Sequence, residues 1–379
     1  MNSMKIAMLG HKRIPSREGG VEIVVKELAI GLAARGCDVT CYNRGGHHVS
    51  GKEFDSFNPD ECKDITIKKA WTIDLKGLAA VTSSFFGSIA CAFGKYDLVH
   101  FHAEGPSFMC WLPKKMGKKV VVTIHGLDWK RAKWGHFAAW YIMKGEKAAA
   151  KYADEVIVLS KSVQDYFKEK YGRDTTLIPN GVTILPPVES EIVKYKYGLE
   201  KDDYILFLGR LVPEKGVHYL IEAFKGIKTD KILVIAGGSS DTSQYMNELK
   251  DMAKGDERIV FTGFIEGKEL EELYSNAYLY VLPSDVEGMP LSLLEAMSFG
   301  NACLVSDIPE CASVIKDKDM LFAKGDVDSL RIKLSELINN PNMVKEHAGR
   351  AFETVSKEYS WDKCIEQTLE VYKRVLDTN

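Results

Sequence analysis

The sequence predicts an α/β protein made of two Rossmann-like, doubly wound parallel-sheet domains facing a central cleft. Three observations predict it. Short runs that are apolar throughout recur along the chain, and such strands are buried on both faces. Longer segments between them have apolar residues three and four apart, the spacing of amphipathic helices. The alternation pauses near residue 180 and then restarts. Repeated strand–helix–strand units imply parallel sheets covered by helices.

In the first half the predicted strands are KIAMLG (5–10), DVTCYN (38–43), YDLVHFH (96–102), KVVVTIHG (119–126), DEVIVLS (154–160) and TTLIP (175–179). A helical pattern with a glycine stop, GVEIVVKELAIGLAARG (20–36), follows the first. The stretch 179–204 holds three prolines and reads as a linker that leads into a short helix. Strands resume with YILFLGR (204–210), KILVIAGG (231–238), RIVFTG (258–263), AYLYVLPS (277–284) and ACLVSD (302–307). This divides the chain into domains 1–185 and 186–358, with a helical tail over 359–379. Ligands of open parallel sheets sit beyond the carboxyl ends of the strands. A site is therefore expected on strand-end loops from both halves.

The 379 residues suffice for two domains with large cores. Hydrophobic residues at 45% and charged ones at 27% describe a globular, soluble chain. A net charge of −3 gives no argument for nucleic acid as a partner. No apolar run approaches the roughly 20 residues that span a bilayer. The opening MNSMKIAMLG runs into a strand without the layout of a signal peptide. Cys37, Cys41, Cys62, Cys91, Cys110, Cys303, Cys311 and Cys364 form no CxxC pair, so a reduced, cytoplasmic protein is expected.

Chemistry concentrates in four places. In EGMPLSLLEAMSFG (287–300), Glu287 and Glu295 are eight apart, and a helix is expected to open at Met289 or Pro290. Backbone N–H groups of Gly288, Met289, Pro290's neighbours and Leu291 would face a phosphate or sugar oxygen. The two carboxylates would accept bonds from two sets of hydroxyls. An ordinary amphipathic helix with a solvated glutamate fits this stretch equally well. In FLGRLVPEKG (207–216), Arg210 follows a buried strand and Lys215 lies five residues on. Together they could neutralise a diphosphate leaving group, or they could be surface charges. Glycines form the third signal. Gly19 and Gly20 precede the first long helix, and Gly237 and Gly238 close a later strand. Each pair would let a diphosphate approach, or simply make a turn. Fourth, His125 ends a buried strand before Gly126, Asp128 and Trp129, while His100 and His102 end another. At most one of these histidines is expected to be catalytic.

No GxGxxG follows the first strand, and neither GxxxxGK[ST] nor GxSxG occurs, which weakens dinucleotide, triphosphatase and esterase readings. Asp317/Asp319 and Asp326/Asp328 read as solvated surface pairs, not Mg²⁺ ligands.

Taken in order, Gly19-Gly20, His125-Gly126, Arg210/Lys215 and Glu287-x7-Glu295 resemble the retaining glycosyltransferases of the GT-B fold, family 4. The N-terminal stretch GHKRIPSREGGVEIVVKELA is similar to a subgroup seen among bacterial rhamnosyltransferases. The resemblance implies that domain 1–185 binds the acceptor and 186–358 the nucleotide-sugar, and that the tail crosses back to the first domain. It implies Arg210 and Lys215 on the donor diphosphate, Glu287 on the sugar, Glu295 on the ribose, His125 beside the transferring sugar, and Gly19-Gly20 lining the diphosphate. No metal or cofactor is implied beyond a UDP- or dTDP-sugar co-substrate. The acceptor would be a glycan or lipid-linked saccharide of a bacterial surface polysaccharide. A GT-B epimerase or phosphorylase and a non-catalytic nucleotide-sugar-binding protein are the alternatives.

Between 111 and 140, Lys114, Lys115, Lys118, Lys119, Lys130, Arg131 and Lys133 mix with Trp111, Trp129, Trp134 and Trp140. This suits peripheral contact with the inner membrane surface, or a solvated face over core tryptophans.

Overall fold

A computed structural model describes residues 3–46, 59–75, 77–130, 135–238 and 244–378. The chain divides into two compact units, Met1–Gly181 with Trp361–Asn379, and Val182–Ser360.

The first unit is built from β1 (Lys5–Leu9), α1 (Gly20–Ala34), β2 (Asp38–Arg44), β3 (Thr66–Ala70), α2 (Leu78–Phe93), β4 (Leu98–His102), α3 (Glu104–Ser107), α4 (Trp111–Lys115), β5 (Lys119–Ile124), α5 (His136–Tyr152), β6 (Glu155–Val158), α6 (Lys161–Tyr171) and β7 (Thr176–Leu177). Its seven strands are parallel, in the order β3-β2-β1-β4-β5-β6-β7. The central strands are the apolar runs. Every residue of β4 is buried, as are the last five of β5. Phe101, Val122, Val156 and Phe167 form one packed layer. The sequence reading missed β3. It is an edge strand, TIKKA, with only Ala70 buried, so it lacks the apolar run that marks a central strand.

The second unit holds α7 (Ile192–Tyr197), β8 (Tyr204–Leu208), α8 (Val217–Lys225), β9 (Ile232–Ala236), α9 (Gln244–Ala253), β10 (Ile259–Gly263), α10 (Gly267–Asn276), β11 (Leu279–Leu282), α11 (Leu291–Ser298), β12 (Cys303–Ser306), α12 (Pro309–Ile315), β13 (Leu321–Phe322), α13 (Val327–Asn339) and α14 (Pro341–Glu358). Its six parallel strands run β10-β9-β8-β11-β12-β13. The two-residue β13 is too short to announce itself in sequence. The stretch read as a linker contains α7, whose first turn is anchored by buried Glu272 of α10. Glu272 Oε2 accepts the backbone N–H groups of Glu191, Ile192 and Val193 at 3.0, 2.7 and 3.0 Å. An anion there meets the unpaired donors and the positive end of the helix dipole.

The last helix, α15 (Trp361–Asp377), belongs to the first unit. Its buried residues Cys364, Ile365, Thr368, Val371, Tyr372 and Val375 follow the three-and-four spacing of one apolar face. Ile365 fills the space beside Gly31 of α1, where an added Cβ would lie 2.2 Å from its Cδ1. Tyr372 bonds His100 at 2.6 Å, and Arg374 pairs with Glu155 at 2.8 Å.

Glu272→Ala removes three charge-assisted bonds at once, and we expect it to lower stability by about 2–3 kcal/mol in urea denaturation. An unchanged midpoint would show that α7 is held by packing alone.

Candidate active site

In a doubly wound sheet the winding reverses between two neighbouring strands, and the loops leaving them have no helix between them. In the second unit those strands are β8 and β11. Their loops, 209–216 and 283–290, pack backbone to backbone. Asp285 N–H donates to the Glu214 carbonyl at 2.8 Å. Gly216 has φ of +66°, and a Cβ there would lie 2.0 Å from the Pro283 carbonyl oxygen.

This contact brings Lys215 and Glu287 together. Lys215 Nζ lies 2.5 Å from Glu287 Oε1, which also accepts the Ser284 hydroxyl at 2.6 Å. The side chains are 14% and 7% exposed, so the pair is largely out of water. Arg210, on the same loop as Lys215, is half-buried, and no hydrogen bond or ion pair holds its guanidinium among the described residues. Glu214, on the same loop, is buried, and neither of its carboxylate oxygens is bonded among the described residues. Sequence reasoning missed Ser284 and Glu214, because nothing in their spacing marks them.

Gly288, Met289, Pro290 and Leu291 lead into α11, but the helix opens one residue later than expected. Pro290 is the cap, with ψ of 104°, and Leu291 is the first helical residue. The Pro290 carbonyl accepts Leu293 and Leu294 N–H, leaving those of Leu291 and Ser292 with no carbonyl upstream in the helix. Glu295 lies inside α11 and accepts the Tyr274 hydroxyl at 3.1 Å. The two glutamates therefore have separate neighbours. Gly237 is explained by turn geometry, since a Cβ there would lie 1.8 Å from the Gly209 carbonyl oxygen. Gly238 also serves the fold, its carbonyl accepting Leu211 N–H at 3.0 Å.

In the first unit the winding reverses between β1 and β4. Gly19 caps α1 and Gly20 opens it. Glu22, in the first turn, reaches back to accept Lys12 N–H at 2.9 Å, so this helix mouth already holds an acid. His125 follows β5 and is 9% exposed. Its Nε2 lies 3.1 Å from His102 Nδ1. His100 is a core residue, between the hydroxyls of Tyr372 and Thr123 at 2.6 and 2.7 Å. Burial pushes His100 down to about 3, and buried His11, which bonds Asn43 at 2.8 Å, down to about 4. Burial, then the neighbouring histidines, hold His102 well below its ordinary value.

Two surface readings are refined. Of the aspartate pairs only Asp317 is partly buried, accepting from His347 at 2.8 Å, whereas Asp319, Asp326 and Asp328 are exposed as expected, Asp326 capping α13 and Asp328 pairing with Arg331. The basic stretch 111–140 is not a free face. Lys114 pairs with Asp154, Lys118 bonds the Tyr96 carbonyl and Lys119 that of Thr378. Lys115 lies over Trp111, and Trp129 donates to buried Glu146. Arg131, Lys133, Trp134 and the side chain of Lys130 lie outside the described residues. All eight cysteines are free thiols. Among the described residues, no helix is long and apolar enough to cross a membrane, and no three His, Cys, Asp or Glu side chains are grouped as metal ligands.

Two doubly wound sheets in series, each with polar residues at its reversal point, are those of an α/β protein that binds its ligands at strand ends. A model of Glycosyltransferase Family 4 matches residues 18–184, and one of Glycosyl transferases group 1 matches 189–353. The chain belongs to this family of GT-B glycosyltransferases. It is 26% identical to an alpha-maltose-1-phosphate synthase of Mycolicibacterium smegmatis, over 98% of this chain and 100% of that one. It is 28% identical to the UDP-Gal:alpha-D-GlcNAc-diphosphoundecaprenol alpha-1,3-galactosyltransferase of Escherichia coli, over 72% of each. The crystal structure of Anabaena HepE in complex with UDP and glucose superposes with a TM-score of 0.82 at 17% identity, covering 98% of this chain and 100% of that one.

Lys215→Met and Glu287→Gln are expected to couple by about 1–2 kcal/mol in a double-mutant cycle; additive effects would mean that the contact contributes nothing. The buried histidines set an acid limit. Their folded values lie below the ordinary 6.5, so the unfolded chain takes up protons that the folded one refuses. Stability is then fully present above about pH 6.5 and falls below it, by up to about 1.4 kcal/mol per pH unit for each histidine. Urea midpoints at about pH 7 and about pH 5 measure this.

Proposed function

We propose that the protein is a retaining glycosyltransferase that moves a hexose or deoxyhexose from a UDP- or dTDP-sugar to a glycan or lipid-linked saccharide, in synthesis of a bacterial surface polysaccharide. One observation carries the reading. At the β8/β11 reversal point a lysine and a glutamate lie in contact, and the lysine's loop also carries Arg210, whose guanidinium has no partner among the described residues. Arg210 grips the donor diphosphate in this reading, with Lys215 as a second cation. Glu287 accepts from the sugar hydroxyls and Glu295 from the ribose. The N–H groups at the start of α11 take a phosphate oxygen. Gly19 and Gly20 line the diphosphate, and His125 stands beside the transferring sugar.

The bond from the anomeric carbon to the diphosphate breaks, and the acceptor oxygen bonds that carbon on the same face. The acceptor's proton passes to the departing phosphate oxygen. The growing negative charge is met by Arg210, Lys215 and backbone N–H groups, so the reading contains no metal. UDP-bound HepE and the UDP-Gal-dependent relative support a UDP-sugar donor. The Escherichia coli relative's diphosphoundecaprenol substrate supports a lipid-linked acceptor.

Peripheral membrane contact forms part of this reading; of the basic, tryptophan-bearing stretch it keeps Trp140, joined by exposed apolar residues at two helices. Trp71, Leu75 and Leu78 are exposed around the start of α2, and Phe137, Trp140 and Met143 on α5. Both helices cross over in the same direction, so the right-handed rule sets them on one face of the sheet. Lys144 lies over the Trp140 ring, and every charged side chain that α5 exposes is a lysine. Apolar rings rimmed by cations suit an anionic bilayer surface.

Glu287→Ala is expected to abolish transfer while urea unfolding stays cooperative; full activity would remove its role. A thermal-shift screen of nucleotide-sugars identifies the donor, and NMR of the product linkage tests retention. Incubating the donor without acceptor should yield no isomer, whereas an isomer would favour an epimerase. Co-sedimentation should recover the wild type with anionic liposomes and lose Trp140→Glu. Equal recovery of both, or none of either, removes the membrane contact.

A further inference from the structure

Two buried acids of the first unit take no part in the reaction above. The chain leaves β4 through Ala103, the only non-glycine residue of that unit with positive φ among those described, at 72°. This turn carries Glu104 directly into the interior, where it is 0% exposed. Glu146 of α5 is also 0% exposed. Gly145 allows α5 to reach α3, since a Cβ there would lie 1.9 Å from the Glu104 carbonyl oxygen.

The two carboxyl groups hold the loop that follows His125, one group each. Glu104 Oε2 accepts Asp128 N–H at 2.8 Å, and Glu146 Oε2 accepts the Trp129 indole N–H at 3.1 Å. The other oxygens differ. Glu146 Oε1 is surrounded by donors from α6: Tyr166 at 2.9 Å, Lys170 at 2.9 Å and Tyr171 at 2.5 Å. Glu104 Oε1 is buried and meets no donor among the described residues. A buried carboxylate oxygen without a donor is costly, whereas a carboxylic acid at that position supplies its own.

Burial first, then the Asp128 charge and the adjacent Glu146 carboxyl, push Glu104 well above the usual carboxylate range. Burial also pushes Glu146 up, but the adjacent Glu104 carboxyl and the hydrogen bonds from Tyr171, Lys170 and Tyr166 outweigh it and hold Glu146 low. The groups facing Glu104 are thus Asp128 from the loop and Glu146 from α5, with the α6 donors behind. The remaining neighbours of α3 are α2, which carries no charged side chain, and β4, whose titratable groups are the buried His100 and His102.

We propose that Glu104 is a neutral acid that donates its proton to the Glu146 carboxylate, and that this single shared proton positions the loop bearing His125. Both are positioning residues, and their effect on transfer rests on the role given to His125 above. Glutamine at 104 reproduces the neutral form, because its amide donates to Glu146 and its carbonyl accepts from Asp128. Above the raised value of Glu104 the wild type gains a second buried charge and loses the bond, so transfer declines on the alkaline side.

The test compares full-length wild type, Glu104→Gln and Glu104→Ala. Glu104→Gln should keep kcat within about twofold at neutral pH and flatten the alkaline decline. Glu104→Ala should lower kcat about ten- to hundredfold with KM for the nucleotide-sugar little changed. The infrared difference between wild type and Glu104→Gln at neutral pH should show the carbonyl stretch of a neutral carboxylic acid. Exchange of the Asp128 amide should be slow in both and fast in Glu104→Ala. No acid band, or Glu104→Gln exchanging as fast as Glu104→Ala, overturns the proposal. Infrared and exchange need no substrate, so they stand if His125→Ala retains full transfer and the role of that histidine fails.

Discussion

Where a parallel sheet reverses its winding, two neighbouring strands send their chains to opposite faces, and the gap above them is left to loops. Everything proposed for this enzyme depends on that constraint. In the second unit it sets the loops after β8 and β11 side by side, 72 residues apart in sequence between Lys215 and Glu287. Backbone contact through Gly216 and Asp285 fixes their separation. The ion pair is then a consequence of the fold. Its cost in desolvation is offset by mutual attraction and by the Ser284 hydroxyl.

The first unit answers the same constraint differently. Its strand ends are lined with buried polar groups: His11, His100, His102 and the two acids. Burial keeps the histidines neutral, and Glu146 is steadied by two tyrosines and a lysine. These networks leave few rotamers free, which is how a site on loops acquires the rigidity of its scaffold.

Much of the fold was legible because central parallel strands are apolar runs, and runs such as YILFLGR cannot be solvated on either face. The exceptions follow the same physics. β3 lies at an edge with two exposed lysines, and β13 is two residues long. The candidate donor residues were legible from their place at strand ends, which is a one-dimensional property. What a side chain touches is not. Trp129 reads as an interfacial aromatic yet donates to a buried acid, and Lys114 reads as a free cation yet is paired with Asp154. Pro290 fits the first helical turn by type, but its extended ψ makes it the cap. Glu104 has no neighbours in sequence that hint at Glu146.

The first unit needs a helix encoded after the whole of the second. Until α15 arrives, the apolar side of α1 and the ring of His100 lack their cover. During vectorial synthesis the second unit can therefore close on itself while the first is still waiting for its last piece. The order of maturation on the ribosome runs opposite to the order of the strands, and the earlier domain is the one exposed longest to chaperones.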